Sequence, residues 1–236
     1  MTTNPPPDRI WHRIPALAVL AGVLAVFALG LTSNVLDRDG LTMIDTPLSN
    51  WAIEHRNGTL TPLAITVSYL GGTVAMTIVA TLAVLAFAKL GRWREAALVV
   101  VTGLGSWALT DGGKHLIDRP RPPVVNHIIA KTNLAYPSGH SLGSIVVIST
   151  LALLLIPRIR RPAIRWVAAV AAVTFVAAVG LSRIYLGVHW PTDVLGGWTL
   201  GAMWVVLCFL AYRYLNQRQD RAAAGFEYSG ASRDAA

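Results

Sequence analysis

Residues 166–193 read WVAAVAAVTFVAAVGLSRIYLGVHWPTD. Positions 166–182 carry no charge, which is just enough length to cross the hydrocarbon of a bilayer as a helix. The stretch then runs without a linker into Ser182, Arg183, His189 and Asp193. A charged side chain beside a membrane span is costly unless it has a partner or a task. The stretch therefore predicts a membrane helix with chemistry at its end.

The same pattern recurs outward from it. Uncharged runs cover 14–36, 57–88, 96–110, 141–157 and 194–212. Charged residues make up 14% of the chain, well below the roughly 25% of a soluble domain. The expected fold is all-α: a polytopic membrane protein with a bundle of six transmembrane helices. The expected organisation is a disordered cytoplasmic N-terminus over 1–13, a six-span domain over 14–215 and a disordered cytoplasmic tail over 216–236. Arg9 and Arg13 ahead of a run containing Ala28-Leu29-Gly30 would also suit a cleaved signal peptide. The run is longer than a typical signal core, so a retained span is expected.

Six alternating spans put both termini on one side. With the N-terminus cytoplasmic, the inner segments hold 13 Lys and Arg and the outer segments 7, the bias of a cytoplasmic N-terminus. Trp11, Trp51, Trp93, Trp166 and Trp190 fall near the ends of spans, as interfacial aromatics do. Between the first two spans, Thr46-Pro47 reads as an N-cap and first helical residue. Leu48, Trp51, Ala52 and His55 follow at helical spacing, which predicts a short interfacial helix.

The net charge of +8 does not argue for nucleic acid, because the basic residues lie in short segments rather than along one amphipathic face. Anionic lipid is the expected surface partner. Cys208 is the single cysteine, which excludes an intrachain disulfide and a cysteine metal site.

Three polar clusters interrupt the apolar runs, and the six-span layout brings all three to the outer face. The first is Lys114 with Arg121-Pro122, the second Pro137-Ser138-Gly139-His140, the third Ser182-Arg183 with His189 and Asp193. His189 and Asp193 are one helical turn apart. A carboxylate at that spacing can hold one imidazole nitrogen and leave the other free to attack. Alone, such a pair is more often structural, a helix-start acid beside an interfacial histidine, than catalytic. Ser138 is a natural N-cap, and Gly139 lets an anion approach the amides of a helix start. A histidinium at 140 could donate a proton to a departing oxygen. Lys114, Arg121 and Arg183 supply the charge a phosphate dianion needs. Arg119 and Lys131 read as ordinary interfacial cations, and Asp111 and Asp118 are given no chemistry.

Lys114 with six residues before Arg121-Pro122, then Pro137-Ser138-Gly139-His140, then Ser182-Arg183 with five residues before His189 and three more before Asp193, resemble in order and spacing the three signatures of the type 2 phosphatidic acid phosphatase superfamily. The resemblance implies a phosphatase that needs no metal or other cofactor and works through a phosphohistidine. It implies His189 as nucleophile, Asp193 as its orienting partner and His140 as the acid for the leaving oxygen. Lys114, Arg121, Ser138, Gly139 and Arg183 would bind the phosphoryl group.

A site at the outer membrane boundary predicts a phosphorylated membrane lipid as substrate. The resemblance suggests a bacterial plasma membrane and, as candidates, polyprenyl diphosphate, phosphatidylglycerophosphate and phosphatidic acid; a soluble phosphate ester is a further one. A lipid-phosphate binder or transporter could use the same cations, but would not need the His189–Asp193 pair. A soluble haloperoxidase-like relative fits the clusters but not the six spans.

Overall fold

The computed structural model describes residues 13–233, with side chains from 15 to 218. Trp11 and the rest of the segment before Arg13 lie outside them. The described residues contain helices and connecting segments, with no strand. Eight α-helices run in order: α1 Arg13–Asp37, α2 Asp45–Glu54, α3 Leu60–Leu70, α4 Thr73–Lys89, α5 Trp93–Ile117, α6 Gly139–Leu155, α7 Pro162–Tyr185 and α8 Pro191–Arg233.

Among the described residues four stretches are long and apolar enough to cross a membrane: Pro15–Asp37, Gly139–Arg158, Pro162–Tyr185 and Pro191–Arg218. A fifth is the pair α3 and α4, bent by 43°. The sequence reading made 57–88 one span. It is broken at Gly71-Gly72, where the backbone must pass close to α7: a Cβ on Gly71 would lie 2.3 Å from a methyl of Val179. The expected third span falls within α5, a helix of 25 residues that is not among the stretches apolar enough to cross. It carries Arg94, Glu95, Asp111 and Lys114, which lowers its apolar character. Helix α8 continues to Arg233, past Asn216, where composition marks a disordered tail. Gln217, Arg218 and Ala222 to Ala224 are good helix formers.

Large apolar side chains point outward along the long helices. Val26 is 72% exposed, Leu104 64% and Val173 71%. Such surfaces suit hydrocarbon, and a helix satisfies its own backbone there. The bundle is organised on α6, which packs against α8, α5, α7 and α4, while α1 packs along α8. Leu142, Val146 and Val205 form a buried cluster between α6 and α8. A second cluster around Phe87, Val99, Leu154 and Cys208 ties α4, α5, α6 and α8 together at the other end.

The short helix after α1 is present as α2, but its start differs from the expectation. It begins at Asp45, with Ile44 as N-cap and no side-chain cap bond, so Thr46 is not the cap. Ala52 is buried, while Leu48 and Trp51 are exposed, and Trp51 stacks on His55 with ring centroids 4.4 Å apart.

Candidate active site

The first cluster is placed by the way α5 stops. Asp118 adopts a left-handed conformation with φ of 49°, which Asp tolerates better than most residues. Pro120 and Pro122 then forbid further helix. Lys114 stays on the last turn and donates from Nζ to the Leu134 carbonyl. Arg121 leaves the helix and is held by Asn133, with Nε on the carbonyl at 2.5 Å and Nη2 on Oδ1 at 2.7 Å. Its Nη1 reaches the Val188 carbonyl and stands 3.0 Å from His189 Nε2.

The second cluster opens α6. Ser138 is the N-cap, as expected, but makes no side-chain bond to the helix amides. It is fully buried, and its Oγ accepts from Ser141 Oγ at 3.1 Å. Its backbone N–H donates to the Asp193 carbonyl at 3.0 Å, which joins the second cluster to the third. Glycines allow this approach. A Cβ on Gly197 of α8 would lie 2.7 Å from the Ser138 carbonyl oxygen, and one on Gly113 of α5 2.5 Å from Pro137 Cδ. His140 lies at the α3–α4 break, where a Cβ on Gly72 would be 3.3 Å from its Nε2.

The third cluster bridges α7 and α8. Pro191 is the first residue of α8, as read from the sequence, so Asp193 falls in the first turn. Its Oδ2 accepts from the Trp190 amide at 2.8 Å and lies 3.3 Å from His189 Nδ1. Oδ2 thereby reaches back over the helix start, and its position fixes the side of the ring it faces. His189 is 2% exposed and Asp193 fully buried. Burial, then the nearby charges of Arg121, Arg183 and Lys114, hold the His189 imidazole well below its ordinary value. A neutral ring whose Nδ1 donates to Asp193 keeps a lone pair on Nε2; here that lone pair faces Arg121 Nη1, which must move off it before it can attack.

Arg183 is 1% exposed. Its Nη1 donates to Ser68 Oγ from α3, while Nε and Nη2 have no partner among the described residues. Buried guanidinium N–H groups are rarely left unpaired, and each carries a desolvation cost of about 1–3 kcal/mol. Such buried, unpartnered donors can accept an anionic partner.

Two residues to which the sequence reading gave no role in the site complete it. Arg119, read as an interfacial cation, lies between two carboxylates instead: Nη1 is 2.5 Å from Asp193 Oδ1 and Nη2 2.6 Å from Asp45 Oδ2. Asp45 is 4% exposed. The double Arg-Pro step at 119–122 was the available signal for Arg119. Nothing near Asp45 marks it, because its partners are 74 and 147 positions away.

An apolar groove of about 480 Å³ opens beside this cluster between α4, α5 and α6. Met76, Ala80, Val84 and Leu104 line its length, and Thr110 and Gly139 lie at the site end. No three His, Cys, Asp or Glu side chains among the described residues gather in a way that could hold a metal ion.

The model of the PAP2 superfamily matches residues 93–217, more than half the chain. The chain belongs to the PAP2 superfamily. Bacillus subtilis phosphatidylglycerophosphatase B is 36% identical over 95 residues, covering 38% of this chain and 44% of that protein. Sulfolobus acidocaldarius undecaprenyl-diphosphatase is 39% identical over 74 residues, 31% of each chain. The alignments thus span less than half of either relative. A crystal structure of a transmembrane PAP2 type phosphatidylglycerolphosphate phosphatase from Bacillus subtilis superposes with a TM-score of 0.73 over 84% of this chain and 96% of that one, at 24% identity. Aquifex aeolicus LpxE superposes with a TM-score of 0.57 over 70% and 94%, at 18% identity. At these identities the superpositions speak for a shared PAP2 membrane fold.

Proposed function

We propose that this PAP2 protein hydrolyses a lipid phosphate or diphosphate through a phosphohistidine at the extracytoplasmic rim of a six-span bundle. The observation that carries the reading is the environment of His189. Asp193 holds Nδ1, Arg121 stands at Nε2, and Arg183 offers two nitrogens without partners among the described residues. A phosphoryl group entering there would draw Arg121 from the ring to its own oxygens. Lys114, Arg121 and Arg183 then hold those oxygens as transition-state charge spreads over them. Ser138 and the Gly139 amide assist at the start of α6.

In the first step Nε2 of His189 attacks phosphorus. An N–P bond forms, the P–O bond to the leaving group breaks, and the leaving oxygen takes a proton from His140, which gains that proton only as the phosphoryl anion binds and offsets the surrounding cations. In the second step water attacks phosphorus and gives its proton to His140. The N–P bond breaks, its electrons return to the ring, and inorganic phosphate departs. Asp193 meets the positive charge of the phosphorylated ring.

The groove supports a lipid substrate, since its apolar walls end at Gly139 and suit a hydrocarbon chain whose headgroup lies among the cations. The relatives' names favour a polyprenyl diphosphate or phosphatidylglycerophosphate, with phosphatidic acid as the simpler alternative. Six spans follow if α5 crosses together with α1, the bent α3–α4 pair, α6, α7 and α8. The Lys and Arg bias then supports cytoplasmic termini and a site on the outer face, with α2 at the outer interface, and the bacterial relatives support a bacterial membrane.

Phosphate release by the purified protein in detergent with a chelator present tests the reaction. Lipid monophosphates and polyprenyl diphosphates are compared side by side. The wild type is expected to release phosphate and to carry acid-labile label from a radiolabelled substrate after quenching at high pH. His189→Ala is expected to do neither. Equal release by the two proteins ends the assignment of the nucleophile.

A further inference from the structure

Arg119 links two acids. Its Nη1 donates to Asp193 Oδ1 at 2.5 Å and to Thr192 Oγ1 at 2.8 Å, and its Nη2 donates to Asp45 Oδ2 at 2.6 Å. Thr192 ties the same groups from the other side. Its amide donates to Asp45 Oδ1 at 2.9 Å, and its hydroxyl donates to Asp45 Oδ2 at 2.7 Å. Thr192 and Asp193 are fully buried, and the Arg119 side chain is 12% exposed. Asp45 opens α2 and lies outside residues 93–217, the segment that matches the family.

The arrangement matters through charge. A carboxylate paired one-to-one with an arginine forms a neutral unit, which attracts a neighbouring imidazolium weakly. Here one guanidinium is divided between two carboxylates, so the unit keeps one negative charge. That charge lies next to His189, whose Nδ1 faces Asp193 Oδ2 at 3.3 Å. The geometry matters as well. Asp193 Oδ1 is fixed by Arg119, while Oδ2 is fixed by the Trp190 amide. The carboxylate therefore cannot turn away from the ring.

We propose that Asp45 is a positioning residue for the reaction: through Arg119 and Thr192 it locks Asp193 in place and leaves it enough negative charge to support His189 when the ring becomes cationic. The proposal rests on the phosphohistidine reading for its catalytic consequence, though not for its effect on the ring. The other ionisable groups around His189 are Arg121 beside Nε2, Lys114 from α5, His140 from α6 and Arg183 from α7, with Lys131 further out near His140. None of these adds negative charge. The charge that favours a protonated or phosphorylated ring comes from Asp193 and, behind it, Asp45.

Asp45→Asn keeps the shape of the side chain and an acceptor toward the Thr192 amide, and removes the charge. The protein is titrated in detergent with isotope-labelled histidine, and the His189 resonance is followed by NMR. The proposal expects its midpoint to fall by about half a unit or more, because a nearby negative charge has been lost. It also expects kcat for phosphate release to fall by about ten- to a hundredfold, the loss that follows a misplaced reacting group, with KM little changed. An unchanged His189 titration in folded Asp45→Asn protein overturns the proposal. A lowered midpoint, in a protein whose wild type releases no phosphate from any lipid phosphate, supports the link and overturns the phosphatase reading instead. If Asp45→Asn does not accumulate folded, Thr192→Val decides. It is isosteric and removes only the hydroxyl link. A several-fold fall in kcat at unchanged KM supports the proposal, and unchanged kcat overturns it.

Discussion

Arg183, near the end of α7, donates from Nη1 to Ser68 Oγ on α3, a residue 115 positions earlier. Ser68 is 3% exposed and sits just before the Gly71-Gly72 break. It fixes one edge of the guanidinium and leaves Nε and Nη2 without a partner among the described residues, open to the proposed phosphoryl group. Ser68→Ala leaves a third N–H group of a buried cation unpaired and free to swing. A hydrogen bond to a charged group is worth about 1.5–3 kcal/mol. Inhibition by vanadate, a mimic of the five-coordinate phosphoryl group, is therefore expected to weaken at least about tenfold, with a smaller change in kcat. Vanadate inhibition equal to wild type would show that Ser68 does not orient Arg183.

His140 is assigned the proton for the leaving oxygen, which makes its importance depend on the leaving group. An alkoxide from a lipid alcohol needs that proton, whereas a nitrophenolate does not. His140→Ala is expected to lose about 10²- to 10⁴-fold in turnover of a lipid phosphate, the usual contribution of general acid catalysis. It should lose far less in the first step with p-nitrophenyl phosphate, seen as a burst of nitrophenol. Equal losses on both substrates would move His140 from proton transfer to phosphate binding.

Every residue of the three spaced clusters was legible in the sequence, because each cluster follows or precedes an apolar run and stands out against it. Pro191 at the start of α8 and Ser138 at the start of α6 were legible for local reasons, since each acts within its own helical turn. Asp45 and Ser68 were not legible. Each is an ordinary polar residue in its own neighbourhood, and its meaning comes from Arg119, Thr192 or Arg183, far along the chain. Arg119 was misread because a basic residue at a membrane boundary has an innocent explanation, and only packing reveals the carboxylates on both sides of it. The break in the second apolar run was hidden because Gly71-Gly72 is as uncharged as its flanks. What requires the break is the closeness of Val179, a tertiary fact.

The groove between α4, α5 and α6 gives a steric prediction. Gly103 lines it, and a Cβ built there meets nothing within 4 Å. Gly103→Phe should therefore fold, gaining roughly the helix propensity that glycine lacks, at most about 1 kcal/mol, while filling the groove with a ring. Activity on a long-chain lipid phosphate is expected to fall by about tenfold or more, given that misplacement by about 1 Å can cost a hundredfold. Hydrolysis of water-soluble p-nitrophenyl phosphate should be unchanged. Equal loss on both substrates would indicate damage to the site, and no loss on either would mean that the hydrocarbon chain lies elsewhere.

The neutrality of His189 has a consequence for stability. Burial and the charges of Arg121, Arg183 and Lys114 keep the folded ring well below 6.5, the value for a free histidine. The unfolded chain binds a proton at this residue as the pH drops through 6.5, and the folded protein does not. The unfolded state then holds more protons, so stability contributed by this residue rises with pH and is lost on acidification below 6.5. Replacing the residue by His189→Asn removes that contribution. Between pH values of about 7.5 and 5.5, on either side of the free-histidine midpoint, the apparent Tm of the wild type in detergent should fall further than that of the variant. Saturating vanadate should narrow the difference between the two pH values in the wild type alone, because the bound anion offsets the cations that hold the ring neutral. If both proteins lose the same Tm between those pH values, folded His189 takes up its proton as a free histidine does, and a ring held neutral by its surroundings must be abandoned.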